Sequence, residues 1–270
     1  MSIATPYLLD NSRTQAAQRM RVLARLYDEP SRRALQATGI ADGWNCLEVG
    51  GGGGSIAHWL AERVALRGSV LCTDIDPRHV TATARANLRI ERHDITRDAL
   101  PAARFDLIHA RLVLIHIPER VAVIERLVNA LKPGGCLVIE DFDALSMLPD
   151  SSLNTHEVQL AAGEAMRKYM DRGGTDPRFG RSLYGRFRAA GLTEVSAEGR
   201  VLMFDRGNGG AELMRVNFEQ LGGELVAAGF ITAEQLRADI AYLDSDDYAA
   251  PSPVMWTVAG RRPVIAAARR

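Results

Sequence analysis

Five consecutive glycines, Gly50–Gly54, constrain the fold more than any other feature of this 270-residue chain. A short apolar run that carries Glu48 precedes them, and a segment with Ile56, Leu60 and Val64 at helical spacing follows. Glycine is favoured where the backbone must take a positive φ or where a ligand approaches it closely. The pattern therefore predicts a strand, a tight glycine-rich turn and a helix, with a ligand at the turn.

Two nucleotide-binding patterns compete for this loop. The dinucleotide fingerprint G-x-G-x-x-G places Ser55 where a third glycine is expected. The pattern acidic-x-G-x-G-x-G is complete, with Glu48, Gly50, Gly52 and Gly54. Because a run of five glycines satisfies many patterns, the strands that follow must discriminate between the two.

Strands and helices alternate after the glycine loop. The predicted strands are Ser69–Thr73, Leu88–Arg92, Phe105–Ala110 and Cys136–Glu140. Such alternation implies βαβ units and a parallel sheet with helices on both faces. Ligands of such sheets bind beyond the carboxyl ends of the strands.

Charged residues follow several of these predicted strands. Asp74 lies about 20 residues past the glycine loop, where a carboxylate can accept hydrogen bonds from ribose hydroxyls. Asp94, Arg111 and the segment Glu140–Asp143 end the later strands. Their convergence at one edge of the sheet predicts a binding site there.

The composition excludes some classes of protein. Lysine and arginine number 33 against 33 aspartates and glutamates, so no basic field is expected for a nucleic acid. Cys46, Cys72 and Cys136 fall in predicted strands and indicate core thiols in a reducing compartment. Neither a signal peptide nor a membrane-length apolar run occurs, so a soluble cytoplasmic protein is expected. The sequence leaves a homodimer open.

Helical segments flank the predicted core. Residues 1–40 are predicted to form a helical lid, with one helix from Thr14 and a second that Pro30 opens. Residues 41–145 form the core, and residues 146–270 complete it with helical cap insertions. In this last part Leu192–Phe204 and Val254–Gly260 are predicted as strands six and seven, with two helical stretches between residues 207 and 250.

The spaced motifs resemble those of class I S-adenosylmethionine-dependent methyltransferases that act on small molecules. The blocks are LEVGGGGGS, VLCTDID, RHDI, FDLIHARLVLIHIP and LKPGGCLVIEDFD, between about Asn45 and Asp143. The resemblance implies an α/β fold with a Rossmann-like seven-stranded, mostly parallel sheet, helices on both faces and a helical cap. It also implies that strands six and seven are antiparallel and that S-adenosylmethionine (SAM) is the cofactor.

The resemblance assigns roles to residues by position. It places the glycine loop, with Glu48, against the methionine part of the cofactor. It places Asp74 and Ile75 at the ribose, and Asp94 at the adenine, flanked by His93 and Ile95. Ala110 and Arg111 are implied to close over the sulfonium.

The acceptor's general base is a separate question. Transfer to an oxygen acceptor needs a group that removes its proton, commonly a histidine or a carboxylate. The candidates are His116, Asp141 and His156, and Tyr7 and Asp141 are candidate substrate contacts. His58 and His109 are expected to lie in helix or strand packing. No His/Cys/Asp cluster has metal-ligand spacing, so no metal is expected.

These observations predict a methyltransferase for a small organic molecule, with an oxygen acceptor in specialised metabolism as the first hypothesis. Transfer to nitrogen or carbon remains open, as does a SAM-binding enzyme that catalyses a different reaction such as cyclisation. A nicotinamide oxidoreductase is disfavoured because no tyrosine of the chain begins a Tyr-x-x-x-Lys pair. A hydrolase is disfavoured because Ala57 occupies the last glycine position of G-x-S-x-G.

Overall fold

The computed structural model describes residues 9–80, 85–146 and 160–264. The strands are β1 (Asn45–Val49), β2 (Ser69–Asp74), β3 (Leu88–Arg92), β4 (Phe105–Arg111), β5 (Leu131–Asp143), β6 (Thr193–Arg200), β7 (Met203–Asp205), β8 (Ala249–Pro251) and β9 (Val254–Arg261). The α-helices are α1 (Ala16–Ala37), α2 (Ser55–Arg63), α3 (Arg120–Ala130), α4 (Ala161–Arg172), α5 (Phe179–Ala189), α6 (Gly210–Ala227) and α7 (Ala233–Leu243).

Seven strands form one sheet in the order β3-β2-β1-β4-β5-β9-β6. Strands β1 to β5 pair in parallel, whereas β9 is antiparallel to both β5 and β6. The predicted mostly parallel, seven-stranded α/β sheet is therefore confirmed. Strand order reverses at β1, and the carboxyl ends of β1 and β4 lie side by side there, where open α/β sheets bind ligands.

Helix α1 continues through Pro30, so the prediction that Pro30 opens a separate helix is wrong. Proline lacks an N–H and normally breaks a helix interior at a cost of about 3 kcal/mol. Tertiary packing overrides this local preference, because Leu26 is buried in the cap and Leu35 is buried against the sheet.

The predicted sixth strand, Leu192–Phe204, is divided in the structure. Strand β6 ends at Arg200, and β7 instead pairs with β8 in a separate two-stranded sheet. Apolar composition alone does not distinguish one long strand from two short ones. The two helical stretches predicted between them are α6 and α7, as expected.

Two hydrophobic layers enclose the sheet. One face packs on α3 and α5 through Ile124, Leu127 and Phe187, and the other packs on α2 through Ile56 and Leu60. Among the described residues, no helix is long and apolar enough to cross a membrane.

A third apolar cluster forms the helical cap over the carboxyl edge of the sheet. It joins Val22 and Leu26 of α1 to helices α4 and α6, with Phe218 and Leu225 of α6 fully buried. Polar contacts reinforce the same junction, since Arg25 of α1 pairs with Glu212 of α6 at 2.6 Å. The first helix and the cap therefore form one roof.

Helix α5 has two glycines that together test how closely this helix packs on the sheet. Gly180 lies against the β5 backbone, where an added Cβ would collide with the carbonyl oxygen of Asp141, whereas Gly185 is exposed with open space around it. We expect Gly180→Ala to lower the free energy of unfolding by about 1–3 kcal/mol, because the backbone cannot move aside. Gly185→Ala should raise it by roughly 0.5–1 kcal/mol, since alanine favours the helix. Urea denaturation of both variants measures the two changes, and equal effects would contradict the packing.

Candidate functional site

The glycine loop joins β1 to α2 in a conformation that needs glycine. Gly50, Gly52 and Gly54 have φ values of 71°, 53° and 86°, in the left-handed region that other residues rarely adopt. The N–H groups of Gly50 and Gly51 donate to the carbonyl oxygen of Thr73 at 2.8 and 3.0 Å. The loop is thereby fastened to the end of β2.

The first four of the five glycines fall into two pairs by what surrounds them. At Gly50 and Gly51 an added Cβ would collide with Val113 or Cys72, so these two glycines permit close packing. At Gly52 and Gly53 the nearest side chain to an added Cβ is Met20, at 3.9 and 3.6 Å. The middle of the loop therefore presents bare backbone to an open space.

Two carboxylates stand beside this space. Asp74 accepts hydrogen bonds from the N–H of Gly52 at 3.0 Å and of Asp76 at 2.9 Å, and burial raises the pKa of Asp74. Asp94 accepts from the N–H and hydroxyl of Thr96 at 2.9 and 2.6 Å. Partial burial opposes ionisation of Asp94, but the bonds from Thr96 lower its pKa. Both carboxylates keep acceptor capacity for a ligand.

A cavity of about 760 Å³ opens at this edge, between the sheet and the roof. Its volume lies within the range of roughly 300–1,000 Å³ that is usual for small-molecule sites. Most of the predicted cofactor residues and one predicted base line it: Glu48, Gly50, Gly52, Asp74, Ile75, His93, Asp94, Ile95, Arg111 and His116.

Three predicted site residues do not line the cavity. Gly54 is the N-cap of α2, and its positive φ serves the turn into the helix. Ala110 is 1% exposed and packs in the core beside α3. Asp141 is fully buried, and its carboxylate accepts from the N–H of Ile115 at 3.2 Å. Tyr7 and His156 lie outside the described residues.

Asp141 is therefore misplaced for the predicted roles of base and substrate contact. Burial raises the pKa of Asp141 well above its usual value, which favours its protonated form. Its contact with Ile115 instead supports the short turn that carries His116. The sequence could not show this. Side chains of β5 alternate between the two faces of the sheet, and only the register of the strand decides which face Asp141 takes.

His116 lies on the cavity wall between β4 and α3. Burial, with the positive charges of Arg19 and Arg120, lowers the pKa of His116 to about 3. The imidazole is therefore neutral near neutral pH and is a weak proton acceptor in the absence of ligand. It can still orient a bound hydroxyl through a hydrogen bond.

A buried charged cluster beneath the cavity was not foreseen as part of the site. His109 is fully buried on β4, between Glu48 of β1 and Glu140 of β5. Its Nδ1 lies 2.7 Å from Glu48 Oε2, and its Nε2 lies 3.1 Å from Glu140 Oε2. The sequence signal was that Glu48, His109 and Glu140 each follow a run of mainly apolar residues within one of three central strands. We call Glu48, His109 and Glu140 the central triad.

The central triad connects the sheet to the first helix. Ser31 of α1 hydrogen-bonds Glu140 Oε2 and also accepts a bond from Arg111 at 2.9 Å. Arg111 in turn pairs with Asp28 of α1 at 2.9 Å, and Ser55 beside the glycine loop donates to Asp28 at 3.0 Å. The predicted sulfonium-side residue Arg111 is therefore held by a helix of the roof.

Each charge in the triad depends on the others. Burial alone would lower the pKa of His109, but the carboxylates of Glu48 and Glu140 raise it to about 9. Burial opposes ionisation of Glu140, but the hydrogen bond and charge of His109 lower its pKa to about 2. Burial raises the pKa of Glu48, which lines the cavity. These shifts favour a protonated His109 beside an ionised Glu140 near neutral pH, whereas burial makes the ionisation of Glu48 less favourable.

The sheet order, the antiparallel β9 and the glycine loop define the Rossmann-like fold class of the methyltransferases. Comparison with solved structures agrees with this fold. Phosphoethanolamine N-methyltransferase 2 of Haemonchus contortus, solved with phosphomonomethylethanolamine and S-adenosylhomocysteine, matches with a TM-score of 0.59 at 16% identity. The match covers 94% of this chain and 59% of that one.

Sequence comparisons point the same way. Residues 47–137 match the family model described as a methyltransferase domain. Methyltransferase str3 of Strobilurus tenacellus is 28% identical over 154 residues, which cover 56% of this chain and 54% of that protein. A ubiquinone biosynthesis O-methyltransferase of Leptothrix cholodnii is 31% identical over 108 residues, 37% of this chain and 45% of that one. The chain spans about half the length of these curated relatives.

The central triad makes a prediction about stability. We expect His109→Gln to lower the free energy of unfolding by roughly 3–5 kcal/mol, because it leaves the buried carboxyl groups of Glu48 and Glu140, the latter ionised, without their cation. Chemical denaturation of the wild type and the variant measures the change. A loss below about 1 kcal/mol would show that the triad is not held as a charged unit.

The same group predicts how stability depends on pH. Folding raises the pKa of His109 to about 9, from about 6.5 in the unfolded chain. Its contribution is therefore complete below about pH 6.5 and is lost as the pH rises towards 9. We expect the melting temperature of the wild type to fall between about pH 6.5 and 8, before unfolded thiols ionise at about 8.5. The fall should be absent in His109→Gln and retained in the control His58→Gln.

Proposed function

We propose that the protein is a SAM-dependent methyltransferase that acts on a small organic molecule. One observation carries this proposal: the glycine loop, Asp74 and Asp94 follow three adjacent strands and face the same end of a single cavity. Bare backbone at a strand-to-helix turn and two acceptors in a row suit an adenosyl cofactor. The relatives and the matched methyltransferase domain support the same cofactor class.

The residues that line this end of the cavity fit that cofactor. The open backbone at Gly52 and Gly53 would accommodate its methionine part, and Asp74 would accept hydrogen bonds from the ribose hydroxyls. Asp94 and the buried Ile95 would hold the adenine by hydrogen bonding and by apolar contact. When bound, SAM supplies an electrophilic methyl group on a sulfonium.

The roof would provide the acceptor side. Displacement at a methyl carbon depends on alignment and on exclusion of water, and the roof covers the cavity opposite the glycine loop. An oxygen acceptor is our first choice, as in the O-methyltransferase relative. His116, neutral and on the wall, would orient the acceptor rather than deprotonate it strongly.

Binding tests the cofactor assignment first. We expect Asp74→Asn to weaken SAM binding by about tenfold or more, since it removes a charged acceptor for two hydroxyls. Asp76→Asn is the matched control: Asp76 pairs with Arg78 at 2.7 Å and does not line the cavity, so its affinity should stay within about twofold of the wild type. Calorimetric titration measures all three proteins.

Two outcomes would contradict the proposal. Binding of NADH in place of SAM would show that the glycine loop is a dinucleotide-binding loop. Product masses without an added methyl group, with SAM bound, would leave the cofactor site in place but favour a non-methylating reaction such as cyclisation.

A further inference from the structure

Within residues 9–80, 85–146 and 160–264, Arg19 of α1 is a buried cation without a carboxylate partner. It is 3% exposed, and its Nη2 donates to the carbonyl oxygen of Leu9 at 2.8 Å and to Asn11 Oδ1 at 3.1 Å. Its Nη1 donates to the side-chain oxygen of Gln220 of α6. All of these partners are neutral. Burying a charge is unfavourable unless an opposite charge accompanies it. An anion bound beside this guanidinium would therefore be stabilised.

The other two arginines that line the cavity, the partly buried Arg111 and the exposed Arg97, differ from Arg19. Arg111 pairs with Asp28 at 2.9 Å, and Arg97 lies 3.6 Å from Asp94. Among the described residues, no ion pair is found for Arg19 within 4.0 Å. Its positive charge is nevertheless felt at the cavity, where it helps to keep His116 neutral.

Most of the remaining residues on the roof side of the cavity are apolar. Met20, Phe142, Met166, Phe204 and Met214 line it. Methionine and aromatic side chains suit flat or irregular apolar ligands, because they are polarisable and adaptable.

Each carboxylate among the described residues that line the cavity either accepts a hydrogen bond from a neighbouring protein group or is exposed to solvent. Glu48 bonds His109, Asp74 bonds the glycine loop, and Asp94 bonds Thr96. Glu119 is exposed to solvent. The roof side therefore offers no described counter-ion for a cationic substrate.

A second polar side chain, Asn217 of α6, lines the roof side of the cavity. Its side-chain oxygen is buried and has no hydrogen-bond partner in the part of the chain that the structure describes. Asn217 and Gln220 are three residues apart on α6, so they lie on the same side of the helix. Arg19, bonded to Gln220, and Asn217 thus form a polar spot in an apolar wall.

From these observations, and resting on the proposed function, we propose that the acceptor substrate is an apolar, weakly acidic molecule, a phenol, enol or carboxylic acid, bound as its anion beside Arg19. The guanidinium would favour ionisation of the acceptor oxygen, which removes the need for a strong protein base. The oxygen loses its proton to solvent, and its lone pair forms the bond to the methyl carbon. The carbon–sulfur bond breaks with its electron pair on sulfur, which becomes a neutral thioether.

Three probes of one shape test the charge preference directly. We choose 2-naphthoate, 2-naphthamide and 2-naphthylmethylamine, which are an anion, a neutral molecule and a cation near neutral pH. Calorimetric titration into wild-type protein saturated with S-adenosylhomocysteine should give the tightest binding for the anion, by about tenfold over the amide, and the weakest for the amine. No binding of 2-naphthoate, or equal or tighter binding of the amine, would overturn the proposal.

Variants locate the preference at Arg19. Arg19→Met should remove the advantage of the anion over the amide, whereas Arg19→Lys should retain part of it. Arg25→Met is the matched control, because Arg25 also joins α1 to α6, through Glu212, but does not line the cavity. An undiminished anion preference in Arg19→Met would refute the role of Arg19. If Arg19→Met does not fold, the proposal is still tested by the ranking of the three probes in the wild type and by the anion preference of Arg19→Lys.

One further titration separates the substrate from the cofactor. S-adenosylhomocysteine carries a carboxylate, and 5′-methylthioadenosine does not. We expect Arg19→Met to leave the ratio of their affinities unchanged within about twofold. A ratio that falls about tenfold would assign Arg19 to the carboxylate of the cofactor and overturn the proposal. Failure of the wild type to bind S-adenosylhomocysteine would instead refute the proposed function itself.

Discussion

The rest of the structure depends on the clamping of His109 between two carboxylates in the middle of the sheet. Glu48, His109 and Glu140 belong to β1, β4 and β5, the strands that meet beneath the cavity. Separately, each charge would be unfavourable at that depth, whereas together they satisfy one another. Through Ser31 and Arg111 the same network reaches α1. The position of the roof over the glycine loop is therefore coupled to an ion cluster in the core.

This coupling gives α1 two roles. Its second half closes a face of the sheet, and its first half packs with α6 in the cap. A helix interrupted at Pro30 would separate these roles. The continuous helix instead carries Asp28 and Ser31 to the sheet and Arg19 to the cavity on one rigid element. Recognition of a substrate by Arg19 would then be aligned with the cofactor site by the fold itself.

The motifs in residues 45–143 were sufficient to predict the parallel sheet, the glycine turn and the strand-end carboxylates. They succeed because strand alternation and glycine conformation are local properties. The predictions for Asp141 and for strand six fail for a different reason. Whether a strand residue faces the cavity or the interior depends on register, and a one-residue shift reverses it. The division of Leu192–Phe204 likewise depends on which partner strand is available.

The sequence by itself determined the fold class and the placement of the glycine loop and the acids at the strand ends, because these residues follow the strands at fixed intervals. Only the tertiary structure decided the charge states and the residues of the roof side of the cavity. The sequence predicted His109 as a packing residue, and only the fold places Glu48 and Glu140 on either side of it. The sequence also did not show that Arg19 is buried among neutral partners. The free energy of a buried charge depends on the groups around it, and residues far apart in the chain supply those groups.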